Sequence, residues 1–349
     1  MASAPAAPVL PSFKGRPGWE FTDLSDLDLG AYQPAVAERD GGVGELWSLP
    51  APELPAGVSV ELDGDAATIT VGRGVVLQAP IPLRTVQTLA GTIINQRTRV
   101  VLEEGAGAEI WEQSLSAADD LDGILNITTE LVVGDAARLR YVSGQALSER
   151  SWVFGAQRAT VGRDATLDWV ALGFGSRSGH VLMETRLAGQ GAEARVTGAY
   201  ASRGAQHIDF DTTQEHAAPN TTSDLAFRGV LAGRSSAVWR GNIIVDPGAQ
   251  KTDAFQESRN LLLSKRAHAD AIPGLEIQAN DVRCTHAAAV AQVDPEQLFY
   301  LRSRGLPEPL AKRLVIEGFL SALVERFEEG PVREVLSAAL ERRLGLVLD

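Results

Sequence analysis

The sequence predicts a mainly β chain, a parallel β-helix held between an N-terminal helix-and-loop cap and a C-terminal helical domain. Three observations predict it. Short apolar runs with two-residue alternation fill the middle of the chain, at 58–62, 67–71, 98–102, 131–133, 139–142 and 167–172, which is the pattern of half-buried strands. Small-residue turns recur between these runs, and the alanines that mark them, Ala108, Ala137, Ala165 and Ala192, lie 29, 28 and 27 residues apart. A strand and turn repeating at such an interval reads as stacked rungs that bury one continuous core. Strong helix signals are confined to the region after Asp294. On periodicity alone, a sandwich of hairpins joined by Gly-rich turns remains the alternative.

Taken in order, residues 1–12 are rich in Ala and Pro and carry few large apolar side chains, so a disordered tail is expected there. The next segment, 13–57, has irregularly spaced apolar residues (Trp19, Phe21, Leu24, Leu27, Leu29) followed by Pro50, Pro52, Pro55 and Gly57, and reads as a small helix-and-loop cap. The β-helix occupies 58–293. Its later turns at Ser236 and Ala249 are 13 residues apart, about half the repeat. Asp294, Pro295 and Gln297 then combine a side-chain cap, proline at the first helical position and a capping-box residue. Gly305 ends that helix, a second runs from Pro307 to about Phe327, and a third from Val332 to about Leu344. Residues 294–349 thus form the helical domain. Helices at both chain ends would hide the open edges of a stacked β structure.

Composition limits the function. With 45 acidic and 32 basic side chains the net charge is −13, which disfavours a nucleic-acid binder, because that affinity rests on clustered Lys and Arg. No stretch approaches the ~20 apolar residues of a membrane span, and the first residues lack the basic and apolar blocks of an export signal. A soluble, cytoplasmic protein is expected. The single cysteine, Cys284, rules out an intrachain disulfide and a four-thiolate metal site made by this chain alone. No P-loop is present, so no nucleotide hydrolysis of that kind is expected, and Gly173, Gly175 and Gly179 miss the dinucleotide fingerprint by one position. The H-E-x-x-H, G-x-S-x-G and paired C-x-x-C signatures are absent too.

Two constellations remain. His207, Asp209 and Asp211 sit at alternate positions of an expected strand, so all three point to one face, where they can ligate a metal, serve acid–base chemistry, or simply be solvated. His216 extends the set. Cys284 and His286 share a strand face for the same reason, and thiolate and imidazole are the soft donors that iron or zinc takes. Two ligands do not close a site. The pair therefore reads either as an inert cysteine beside a hydrogen-bonded histidine, or as part of a site completed by another chain.

The segments around Trp239–Asn242, Lys251–Asp253, Gln256–Asn260, Pro273–Ile277, Asn280–His286 and Leu298–Gly305 together resemble the SufB/SufD family of iron–sulfur cluster assembly proteins. The likeness is dense over about 225–325. It continues more sparsely upstream through Gln206–Asp209, His216, Pro219, Ser223 and Asp224, and to 18–24, which is similar to the family's Trp-x-Tyr-Thr-Asp-Leu. The solitary cysteine in an Asp-Val-x-Cys-x-His setting resembles the SufD branch rather than SufB, which is longer and carries more cysteines.

The resemblance implies a right-handed parallel β-helix and a non-enzymatic scaffold subunit of an ATP-driven complex. It implies pairing with SufB through the late β-helix strands, and binding of the SufC ATPase by the C-terminal helices. It also implies a transient iron–sulfur cluster shared with SufB, to which Cys284 and His286 contribute. His207, Asp209 and His216 are secondary candidates. Two departures stand out: Ala287, Ala288 and Ala289 replace the family's Gly-Ala-Thr after the histidine, and Asn220–Thr222 stands where a cysteine is common. A homodimeric SufB-like scaffold is the alternative within the family. A carbohydrate-active β-helix enzyme using Asp209 and Asp211 is the alternative from another class.

Overall fold

The computed structural model describes residues 19–39, 41–43 and 45–348; the expected tail at 1–12 and the first part of the N-terminal segment lie outside them. Two sheets face each other across one core, forming a parallel β-solenoid of about eight turns. One sheet runs from the antiparallel pair Val58–Asp63 and Ala66–Val71 through Thr92–Leu102, Gly123–Val133, Trp152–Val161, Ser178–Leu187, His207–His216 and Ser236–Val245 to His268–Ile277, with the short strand Gln33–Ala35 added beside Thr92–Leu102. The facing sheet begins at Ile81–Gln87 and ends at Arg283–Gln292. Consecutive strands alternate between the sheets, so each strand pairs with the one a full turn away.

This geometry stacks side chains in columns. Inward positions such as Leu131, Val161, Trp169 and Trp239 are fully buried, each contributing about 1.5–3 kcal/mol of apolar burial. The strand Thr166–Gly173 is buried on both faces, because Trp169 faces the solenoid core while Val170 and Leu172 face the helices. That explains its continuous apolar run. The corner residues refine the repeat. Ala137, Ala165 and Ala192 each close a turn by donating a backbone hydrogen bond to a glycine carbonyl three residues earlier, but the residue stacked beneath Ala137 is Ala106, since Gly107 pairs with Arg138. The first interval is therefore 106 to 137, and Ala108 belongs inside the strand. Sequence spacing alone had no register to distinguish the two alanines.

The N-terminal segment contains, among the described residues, one 3-10 turn (Leu29–Ala31) and no α-helix. It crosses the outer faces of the solenoid: Trp19, Leu24, Leu27 and Tyr32 pack on Ile93, Ile124, Trp152 and Phe154, and Leu46 and Trp47 pack against the outside of the other sheet. Its irregular apolar spacing suits an extended strap better than a helix. Three helices follow the last strand: α1 (Pro295–Ser303), α2 (Glu308–Val324) and α3 (Pro331–Leu348). Asp294 accepts a hydrogen bond from the Glu296 N–H at 2.9 Å and so caps α1.

Ile316, Leu320 and Leu323 of α2, with Phe327 and with Leu336 and Leu340 of α3, cover Val170, Leu172, Ala199 and Val230 on the outside of the sheet ending at Arg283–Gln292. Two arginines of that sheet pin the helices. Arg195 donates to the Arg326 carbonyl at 2.8 Å and stacks on Phe327 at 5.1 Å, and Arg228 donates to the Phe319 carbonyl and stacks on Phe319 at 5.0 Å.

Candidate functional site

Parity decides where Cys284 and His286 point. In the preceding turn Ala254, Gln256, Ser258 and Asn260 face the core, and Cys284, His286, Ala288 and Val290 stack directly upon them. The cysteine and histidine therefore share one face, and that face is the interior of the solenoid. The strand carrying them is the last of its sheet, so nothing of this chain's sheets lies above it. Hence His286 is exposed and Cys284 half-buried, while Gln256 beneath His286 is fully buried. The other sheet ends in the same way. Ala269, Ala271, Pro273, Leu275 and Ile277 continue the inward column of Ala237, Trp239 and Val245, yet Leu275 is 36% and Ile277 43% exposed. A proline at Pro273 is tolerated on such an edge, where its missing N–H breaks no ladder.

The end of the solenoid is thus an uncovered cross-section of core carrying one thiol and one imidazole. Burial, followed by the Asp253 carboxylate, pushes the Cys284 thiol up from its ordinary range, so without a metal or a partner it stays protonated at neutral pH. Asp253 itself is held below the usual carboxylate range by its hydrogen bond from Arg283. Among the described residues no group of three His, Cys, Asp or Glu side chains converges on a metal-sized site.

The second constellation lies on the outer face of the other sheet, on the strand two turns before its open end. His207, Asp209 and Asp211 do share that face, but it is not solvated. Asp209 is buried: its Oδ2 accepts from Thr22 Oγ1 at 2.5 Å and lies 3.0 Å from His180 Nδ1, a close contact rather than an aligned hydrogen bond. Trp19 covers His180, with ring centroids 4.4 Å apart. His207 Nδ1 meets Ser236 Oγ at 2.8 Å, and burial holds the imidazole below its ordinary range. Asp211 pairs with Arg240 at 3.0 Å, and Arg240 also approaches Glu20 of the strap at 3.6 Å.

His216 does not join this set. It sits at an even position, on the inward face, with Nδ1 2.8 Å from Thr221 Oγ1 and Nε2 2.9 Å from Ser223 Oγ. Burial pushes it down to about 4, so it is a neutral, hydrogen-bonded core histidine.

Sequence reasoning missed His180, Thr22 and Trp19. The repeat held a signal for His180, because Val181 pairs with Phe210 one turn above, which brings His180 beneath Asp209. Gly179 lets the chain pass that point, since a Cβ there would meet the Val153 carbonyl oxygen at 1.7 Å.

Fold and site together define a class: a two-sheet β-solenoid with a helical arm pinned to one face and a cysteine and a histidine on its open end. The chain belongs to the SufBD family of the SUF system for iron–sulfur cluster assembly, whose core-domain model matches residues 85–319. It is 31% identical over 323 residues to an iron–sulfur cluster assembly SufBD family protein of Mycobacterium tuberculosis, covering 90% of this chain and 80% of that one. It is 33% identical over 281 residues to the iron–sulfur cluster assembly protein SufD of Bacillus subtilis, covering 80% and 64%. The likeness to SufD of Escherichia coli is 28% over 329 residues, covering 90% and 78%. No described helix is long and apolar enough to cross a membrane.

Proposed function

We propose that this chain is a SufD-type, non-enzymatic scaffold subunit that works in the cytoplasm, where its thiol stays reduced. Its open end pairs with SufB, and an iron–sulfur cluster is assembled transiently between the two. The observation that carries this reading is the uncovered last turn, in which Cys284 and His286 occupy core-facing positions with no turn above them. A free strand edge offers unpaired backbone N–H and C=O groups to another chain, and the exposed Leu275, Ile277 and Val290 supply apolar surface. One thiolate and one imidazole are half of a four-ligand set, so SufB supplies the remainder. The cluster is the cargo of this site.

The helical arm supports the second partnership. Its inward face is consumed by the sheet, whereas Phe299, Tyr300, Leu310 and Leu314 are exposed; these offer the apolar surface for SufC. Arg195 and Arg228 tie the arm to the solenoid, so a movement imposed on the helices is passed to the sheet rather than absorbed in a hinge. A carbohydrate-active site on Asp209 and Asp211 has no such support, because the first is buried beneath Thr22 and the second is paired with Arg240.

The test is co-expression with SufB and SufC of the same organism, sizing with mass analysis, then anaerobic cluster reconstitution. A complex with one copy of this chain per SufB is expected. A lone homodimer that reconstitutes a cluster would replace this reading with the homodimeric scaffold, and absence of any complex or cluster would end both.

A further inference from the structure

The interior of the solenoid carries a polar chamber that the open end does not use. On one sheet Thr98, Thr129 and Gln157 stack in a single inward column over three successive turns. Glu112 faces them from the other sheet and is 3% exposed. Both of its carboxylate oxygens are acceptors: Thr98 Oγ1 donates to one and the Tyr141 hydroxyl to the other. Among the described residues no cationic side chain is paired with it, Arg39 acting only from a distance. Gln157 Oε1, on a side chain more than nine-tenths buried, has no hydrogen-bond partner, and the buried Thr129 hydroxyl lies against the Tyr141 hydroxyl with a lone pair to spare.

Glu112, Thr129, Tyr141 and Gln157 border, together with apolar side chains such as Ile127 and Met183, a cavity of about 50 Å³, room for several water-sized occupants at roughly 10–15 Å³ each. A buried carboxylate without a counter-charge is costly, and so is each unpaired buried oxygen. One occupant answers both.

We propose that the chamber binds a small monovalent cation (sodium, potassium or ammonium) through the Glu112 carboxylate, Gln157 Oε1 and Thr129 Oγ1. The donors are all oxygen, which selects a hard cation over a transition metal. A single carboxylate balances a single charge, whereas a divalent ion would leave a net charge in the core. The bound cation links two turns of one sheet, those of Thr129 and Gln157, to Glu112 of the other. Burial raises the Glu112 carboxyl above its ordinary range when the chamber lacks a counter-charge, and the cation offsets that penalty. The proposal is independent of the role given to Cys284 and His286.

The test is thermal unfolding of the full chain at neutral pH and fixed ionic strength, in sodium, potassium, ammonium or tetramethylammonium chloride. A ligand bound only by the folded state raises the midpoint with its concentration. The midpoint is expected to rise saturably with at least one small cation and not with tetramethylammonium. Glu112→Gln should abolish that difference, and Gln157→Leu should raise the half-saturating concentration at least roughly tenfold. Identical midpoints in all four salts overturn the site, as does cation dependence retained by Glu112→Gln. If Glu112→Gln does not fold, the wild type against Gln157→Leu in the same salts decides: an unchanged half-saturation overturns the proposal.

Discussion

Thr22 donates its hydroxyl proton to Asp209 across 187 positions of the chain, Oγ1 to Oδ2 at 2.5 Å. This bond holds the N-terminal strap on the solenoid where Asp209 lies buried on an outer face beneath it. Thr22→Val removes the donor and leaves Asp209 underbonded, at a cost of about 1–3 kcal/mol. Chemical denaturation should show that loss. Hydrogen exchange should show residues 19–35 opening before the sheets do. Unchanged protection of the strap would mean that Trp19 and its apolar neighbours hold it unaided.

His216 makes stability depend on pH. Its folded-state value is depressed to about 4 from 6.5, so the fold favours the neutral ring. The contribution is fully present above pH 6.5 and is lost as the pH falls from there toward 4, amounting to about 3 kcal/mol. The wild type minus His216→Gln, measured by denaturant titration across that window, isolates this group from the carboxylates. A flat difference would show that the ring is not held neutral.

The two faces of α2 should respond differently to charge. Leu323 is 2% exposed against the sheet, so Leu323→Asp buries an unpaired carboxylate and should cost more than about 3 kcal/mol. Loss of hydrogen-exchange protection should be confined to α2 and α3. Leu314 is exposed; Leu314→Asp should change stability by less than about 0.5 kcal/mol while weakening capture of SufC in a pull-down. Normal SufC capture by that variant would move the docking surface elsewhere.

Cys284 should react slowly for a half-exposed thiol. Burial and Asp253 push it up from 9.0, and alkylation follows the thiolate, so its rate at neutral pH should fall below that of a free cysteine and keep rising past pH 9. Cys284→Ser and His286→Ala each sit on an uncovered turn and should alter unfolding by less than about 1 kcal/mol. Reconstitution with SufB should nonetheless yield less cluster. Full yield from both variants would reduce the pair to structural residues.

Much of this architecture is legible along the chain because its causes are local. Alternation marks the strands, the small-residue corners mark the turns, and Asp294 with Pro295 marks the start of α1, each within a few residues. The site is only half legible. Parity puts Cys284 with His286 on one face, yet it does not say which face is the core, and His216, grouped with His207 and Asp209 by nearness in the chain, falls on the opposite face. His180 was passed over because its partner lies one turn above it, and contact between turns depends on register.

What the sequence determined by itself was the repeat of strand and turn, the starts of the three C-terminal helices and the pairing of Cys284 with His286, all consequences of local backbone geometry. Only the tertiary structure decided that Ala106 lies beneath Ala137, that the strap buries Asp209, that Leu323 faces the sheet, and that Cys284 and His286 stand on the last turn. These rest on which turn stacks on which and on what covers an outer face. Such contacts join residues far apart in the chain, and a local pattern carries no record of them.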